Sequence, residues 1–231
     1  MTFETWEPVY ERILAEFGYD RAADELARDR LDSLTEKNAV TPIETPDFSG
    51  EVVAVAGGAD RLADDLDAVD EADAVIAASV AADRLRETGV VVDCMVTDLD
   101  KNPETAHELT ADRTPVAVHA HGDNISAVEA HVPEFDHSAV LPTTQAAPAG
   151  TVANYGGFTD GDRAAFLADA FGADRLVFPG WAFDDPEVTE EKALKLRWAE
   201  RLLYWLERRR DERFTVLDGR RTAIDTAPLP L

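Results

Sequence analysis

The sequence predicts an α/β fold: a mostly parallel β-sheet between two layers of helices, three layers in all, preceded by an N-terminal helical extension. Three observations predict it. From about residue 50 onward, short β-branched runs alternate with helical stretches, the pattern of a parallel sheet covered on both faces. Before that point the apolar residues fall at helical spacing only, and a segment rich in proline and glycine separates the two regions. Hydrophobic residues make up 45% of the 231, enough for a sizeable core and too many for wholesale disorder. The division expected is a helical extension over 1–48, packed on a single α/β domain over 49–231.

The elements follow in order. Residues 2 to about 38 read as two helices. Trp6, Val9, Tyr10, Ile13, Leu14 and Phe17 share one helical face, Ala22, Leu26 and Leu31 extend the pattern, and Gly18 and Asp20 divide the pieces. Residues 39–50, with Pro42, Pro46 and Gly50, form a linker. Strands are expected at 51–56, 73–78, 90–96, 115–119, 138–141, 175–178 and 214–217. Helices are expected at 60–69, 80–88, 103–109, 125–132, 163–171 and 189–210. In such a sheet ligands sit at the carboxyl ends of the strands, so the informative residues are those just after each strand.

Composition narrows the function classes. The formal net charge is -25, which disfavours nucleic acid and anionic membranes as partners. No apolar run approaches the roughly 20 residues of a membrane helix, and the acidic start lacks the form of a signal peptide, so a cytoplasmic protein is expected. Abundant Asp and Glu with only four lysines (Lys37, Lys101, Lys192, Lys195) points to a high-salt, halophilic cytoplasm, where salt screens the self-repulsion. The single cysteine, Cys94, excludes an intrachain disulfide and sits in an apolar run, where thiols are usually inert.

Four segments carry chemistry. In Val96-Thr97-Asp98-Leu99-Asp100, continued strand geometry would put Asp98 and Asp100 side by side. Two close carboxylates repel unless a cation lies between them, and magnesium takes carboxylates together with water and phosphate oxygens. The bland reading is a solvated acidic loop. In His119-Ala120-His121-Gly122-Asp123-Asn124 the imidazoles face together with a carboxylate beyond. That fits a zinc or manganese site, or a magnesium carboxylate with imidazoles placed for proton transfer, or simply the cap of the helix from Ile125. Gly156 and Gly157, before a helix start and close to Asp160, Asp162 and Arg163, could offer amides to a phosphate or form an ordinary capped turn. Lys192 and Lys195 lie three apart on one helix face, in a chain that otherwise uses arginine. They suit a phosphate, or pair with Glu190 or Glu191. Gly57-Gly58 after the first strand resembles the opening of a nucleotide-binding unit without its full fingerprint.

Taken in order, these segments resemble the archaeal 6-hydroxymethyl-7,8-dihydropterin pyrophosphokinase (MptE-like) family, distant relatives of the thiamin pyrophosphokinase catalytic domain. The resemblance runs from about Gly50 to Arg210 and includes Thr143-Thr144-Gln145. It implies a Rossmann-like domain that uses ATP and Mg2+ to move a diphosphate onto a small pterin alcohol, releasing AMP, with no nucleic acid or membrane partner. A homo-oligomer is compatible with it. By resemblance Asp98, Asp100 and Asp123 form the magnesium set, and Asn124, Thr144 and Gln145 line the site. Gly156, Gly157, Asp160, Asp162 and Arg163 form a phosphate or pterin loop, and Lys192 and Lys195 clamp phosphate. His119 or His121 could accept the hydroxyl proton, a carboxylate or no base at all being the alternatives, and Gly57 and Gly58 would lie against the nucleotide. The chain departs from the pattern at Gly57-Gly58-Ala59-Asp60, at Ala77-Ala78-Ser79-Val80 and at Lys101. Three other readings predict different behaviour: another alcohol pyrophosphokinase such as one for thiamin, a His/Asp metal hydrolase, and a non-catalytic ATP-binding module.

Overall fold

The computed structural model describes residues 1–36 and 45–231. Most of the linker read over 39–50, and Lys37, lie outside the described residues. Helix α1 (Phe3–Phe17) ends at Gly18, whose φ of 70° lets its N–H reach back to the Leu14 carbonyl. Helix α2 (Arg21–Glu36) begins after Asp20, whose carboxylate accepts the Ala22 N–H.

Six strands then form one sheet: β1 (Val52–Ala56), β2 (Ala74–Ala78), β3 (Cys94–Thr97), β4 (Val116–Ala120), β5 (Val140–Thr144) and β6 (Arg175–Val177). Their spatial order is β5-β4-β3-β2-β1-β6, and every pairing is parallel, so the expected mostly parallel sheet is wholly so. The connecting helices are α3 (Leu66–Asp70), α4 (Ala81–Glu87), α5 (Pro103–Ala111), α6 (Ile125–His131), α7 (Asp160–Ala170) and α8 (Glu190–Arg210).

Strand alternation divides the core into two layers. Val53, Val55, Ile76, Cys94 and Val96 face one side, against α1, α7 and α8. Ala54, Ala56, Val75, Ala77 and Met95 face the other, against α2 to α6. The N-terminal helices thus straddle the sheet. Trp6, Val9, Tyr10 and Ile13 of α1 are buried in the first layer, while Ala27 and Leu31 of α2 are buried in the second. Each large apolar side chain so buried contributes roughly 2 kcal/mol.

The structure corrects several expected elements. The segment 214–217 is not a strand. It forms a 3-10 turn at Thr215–Leu217, and the Phe214 N–H donates to Glu207 rather than to a sheet neighbour. The expected helix at 60–69 is a 3-10 turn (Asp60–Asp64) followed by short α3, broken at Asp65, whose carboxylate accepts the Gly180 N–H. Strand β3 begins at Cys94 instead of residue 90, because pairing with β2 starts only there and Val91 is 74% exposed. Strand β5 runs to Thr144, and α7 starts at Asp160, earlier than its apolar pattern indicates.

Candidate active site

A parallel sheet brings all its carboxyl ends to one edge. Gly57 follows β1, Ser79 follows β2, Asp98 follows β3, His121 follows β4, Gln145 follows β5, and Gly180-Trp181 lies beyond β6. Two cavities open along that edge.

The first cavity, about 190 Å³, is charged. Asp98, Asp100, Asp123 and Asp160 line it together with Lys101, Lys192 and Lys195. Strand geometry does not persist to Asp100. The strand ends at Thr97, and the chain turns through Leu99 at a φ of 65°, a region that costs an L-residue roughly 1 kcal/mol or more. The turn still sets the two carboxylates together, since the Asp100 N–H donates to Asp98 Oδ1 at 3.2 Å. His121 Nε2 lies 3.4 Å from Asp98 Oδ2, and the Asp123 N–H donates to His121 Nδ1 at 3.4 Å. The neutral tautomer with its proton on Nε2 satisfies both contacts.

The electrostatics follow. Burial pushes the Asp98 carboxyl up, but the His121 bond, the Arg163 charge and the Asp100 contact outweigh it and hold Asp98 well below the usual carboxylate range. Burial and then Asp98 push Asp100 upward. Burial, and next the Asp98 charge, push Asp160 up to about 7 even though Arg163 Nη1 donates to it at 3.0 Å. A cluster that strains to hold all its negative charge is one that a divalent cation would relieve. Among the described residues no three His, Cys, Asp or Glu side chains converge closely enough to hold a metal by themselves. Magnesium asks for less, because one or two carboxylates suffice when water and phosphate oxygens complete its shell.

The second cavity, about 300 Å³, lies where the strand order reverses between β1 and β6. In open α/β sheets such a switch point is the usual ligand crevice. Its walls are Gly57, Gly58, Ser79, Gly161 and Trp181, with Leu196 and Ala199 from α8. A Cβ on Gly57 would stand 2.6 Å from the Gly180 carbonyl, and one on Gly161 would stand 2.8 Å from the Trp181 ring, so neither position tolerates a side chain as the walls stand. Trp181 is fixed by its Nε1–H, which donates to the Val55 carbonyl at 2.8 Å. The segments that depart from the family pattern, Gly58-Ala59 and Ala78-Ser79-Val80, line this crevice.

The two cavities share Lys101, Thr159, Asp160 and Lys192. Lys192 stays open to solvent along the cleft, yet partial desolvation and then the Lys101 charge lower its pKa. Lys195 pairs with Glu191 at 3.0 Å, so the bland expectation for this helix face holds for Lys195 while both lysines also line the charged cavity.

Other expected site residues are placed behind the walls of these two cavities. His119 is 2% exposed, lies outside both large cavities, and its Nδ1 contacts the Thr143 hydroxyl at 3.1 Å. Burial, then the Arg163 charge, drives its pKa well down. Asn124 is buried and staples two strand ends, donating to the Asp98 and His119 carbonyls at 2.8 and 2.7 Å and accepting the His121 N–H at 2.9 Å. The Thr144 hydroxyl is spent on the Ala120 carbonyl at 3.3 Å. Asp162 is fully buried and caps α7, accepting the Phe158 and Thr159 N–H groups and the Thr159 hydroxyl. Gly156 and Gly157, with φ of 92° and 93°, lie outside both large cavities. A Cβ on Gly157 would fall 2.6 Å from Arg163 Cα, so this glycine serves close backbone approach. Gln145 and Arg163 do line the charged cavity, linked to each other at 3.3 Å. Cys94 is fully buried, and burial pushes its thiol up to about 12.

Sequence reasoning missed Tyr19 and Phe158, which line the charged cavity, and Trp181 and Gly180 in the crevice. It also treated Lys101 only as a departure, although the scarcity of lysine pointed there: three of the four lysines line this cleft. Tyr19 carried no signal, because its place depends on how α1 and α2 turn over the sheet edge.

Comparison with known proteins gives the family of the chain. The family model described as 6-hydroxymethylpterin diphosphokinase MptE-like matches residues 29–187. A 6-hydroxymethyl-7,8-dihydropterin pyrophosphokinase of Methanothermobacter thermautotrophicus is 38% identical over 92% of this chain and 98% of that protein. The protein of the same name from Pyrococcus furiosus is 39% identical over 89% of this chain and 94% of its own. That from Methanocaldococcus jannaschii is 28% identical over 89% and 96%. With a family model matched over more than half its length and relatives aligned almost end to end, the chain belongs to the MptE-like 6-hydroxymethylpterin diphosphokinase family.

Proposed function

We propose that this protein transfers the terminal diphosphate of ATP to the hydroxymethyl oxygen of 6-hydroxymethyl-7,8-dihydropterin, with magnesium, and releases AMP. The observation that carries the reading is the junction. An apolar, glycine-walled crevice and a charged cavity meet at Lys101, Thr159, Asp160 and Lys192. A nucleotide base fits the crevice beside Trp181, with its phosphates running toward the lysines and the first turn of α7. The acceptor enters the charged cavity, where Tyr19 and Phe158 offer a flat ring an aromatic wall, their centroids 6.4 Å apart.

The acceptor oxygen gives up its hydroxyl proton to solvent and bonds to the β-phosphorus as the bond to the α–β bridging oxygen breaks, and AMP departs with that oxygen. Such a transfer depends on alignment and charge neutralisation more than on covalent help. Magnesium, when bound, supplies charge neutralisation on the phosphate oxygens, and Asp98 and Asp100, with Asp123 across the cavity, are the residues that would hold it. Lys101 and Lys192 meet the negative charge that builds on the departing phosphate. His121, with both ring nitrogens engaged, orients Asp98.

The test is incubation with ATP, Mg2+ and 6-hydroxymethyl-7,8-dihydropterin in high salt, with AMP followed by chromatography. AMP that appears only when the pterin is present is the expected result. Thiamin serving equally well as acceptor, AMP forming without any alcohol, or nucleotide binding without AMP would each overturn the reading in favour of a different one.

A further inference from the structure

The N-terminal helices bury a carboxylate that packing alone does not call for. Asp24, in the first turn of α2, is 3% exposed. Its oxygens accept three hydrogen bonds of 2.8 Å each, from the Tyr10 hydroxyl, the Gln145 side-chain amide and the Gly122 N–H. These donors belong to three separate parts of the chain, and all three are neutral. Burying a carboxylate without a cation is costly, and bonds from neutral donors only offset that cost. Two of the donors belong to the site. Gln145 lines the charged cavity and accepts from Arg163, which in turn holds Asp160. Gly122 stands between His121, which touches Asp98, and Asp123. A second observation fixes the docking independently. A Cβ on Gly122 would come within 2.7 Å of the Ala23 Cβ, so the loop lies directly against α2.

We infer that Asp24 is a positioning residue for the catalytic loop His121-Gly122-Asp123 and for Gln145, which makes the N-terminal helical pair a working part of the active site. The inference rests on reading that loop as part of the diphosphate-transfer site. Asp24 lines neither cavity. It sets where the His121 ring and the Asp123 carboxylate stand relative to Asp98. Groups of this kind behind metal-binding side chains typically govern affinity or rate by 10- to 100-fold.

The test uses the full chain and Mn2+, a spin-active stand-in for magnesium, with binding read from the free-ion paramagnetic resonance signal. Steady-state kcat, KM and the melting temperature are measured alongside. Asp24→Asn sets an amide donor against either the Gln145 amide or the Gly122 N–H and is expected to weaken Mn2+ binding by about 10-fold or more. It should lower kcat more than it changes the KM for ATP. Tyr10→Phe removes a bond of the same length from the same carboxylate but leaves the loop contact, and it should keep Mn2+ binding within about twofold. A folded Asp24→Asn protein that binds Mn2+ like wild type overturns the inference, as does a Tyr10→Phe protein weakened equally. If Asp24→Asn does not fold, Gly122→Ala decides. It must displace the loop from α2 and weaken Mn2+, and wild-type affinity there overturns the inference. A wild-type protein that binds Mn2+ but forms no pterin diphosphate refutes the functional reading and leaves this inference standing.

Discussion

Asp98 and Asp100 are neighbours because Leu99 occupies a left-handed turn, not because strand alternation continues. At the scale of single residues, pairing was legible in the sequence and its geometry was not. If the pair anchors a cation, Asp98→Asn should lower pterin-dependent AMP release by roughly 100-fold or more, the usual loss when a preorganised charge is removed. An active Asp98→Asn enzyme would disprove the assignment. Asp160 gives a pH prediction. Its pKa is pushed up to about 7, so the stability associated with its protonated form is complete below the ordinary carboxylate range and is lost as pH rises toward 7. The melting temperature of Asp160→Asn minus that of wild type, in metal-free buffer, should therefore rise between about pH 4 and pH 7. The corresponding free energy is at most about 4 kcal/mol. Losing the Arg163 contact shifts this difference by a constant and leaves its slope. A flat difference would show that Asp160 is not buried as a charge. The burial of His119, Asn124, Thr144 and Asp162, and the bonds they make, were not legible at this scale. A polar residue after a strand looks the same whether it faces a ligand or a carbonyl, and only the fold separates the two.

At the scale of elements, the alternation of strand and helix was legible almost throughout, because β-branched runs and helical spacing are local properties. The failures share one cause. Val90 to Val92 and Phe214 to Leu217 have strand-like composition but lack a partner in register, and pairing is not local. The start of α7 shows the converse, since its first turn is set by Asp162 reaching back to Phe158 and Thr159 instead of by apolar spacing. Gly157 belongs to the same turn. Gly157→Ala should destabilise the protein by about 2 kcal/mol through its φ of 93° and the clash with Arg163. A melting temperature lower by roughly 4–8 °C is expected, and an unchanged one would show that the turn can relax. On the nucleotide side, Trp181→Ala should raise the KM for ATP and leave the KM for the pterin nearly unchanged, measured by varying each substrate in turn. Equal effects on both would remove Trp181 from the nucleotide crevice.

At the scale of the whole molecule, the net charge of -25 and the lysine cluster in the cleft are two sides of one distribution. An acidic shell repels itself, and salt screens that repulsion beyond a Debye length of about 10 Å at 0.1 M, and at shorter range as the salt rises. The protein should therefore lose structure by circular dichroism at low ionic strength and recover in molar KCl, and indifference to salt would refute the halophilic reading. Among the described residues no helix is long and apolar enough to cross a membrane. The wholly parallel sheet gathers every strand's carboxyl end at one rim, which is why a scattered set of sequence motifs becomes a single cleft. The straddling helices have a further consequence, for the order in which the molecule can be made. Trp6 of α1 stacks on Trp205 of α8, with ring centroids 6.5 Å apart. A chain emerging from the ribosome thus releases one of its first core residues long before the partner that covers it. Helix α1 has to wait, unpaired, while the strands are synthesised, and the first layer closes only when nearly the whole chain is available. Long-range closure of this kind slows folding, so the last helix acts as the timer for the first.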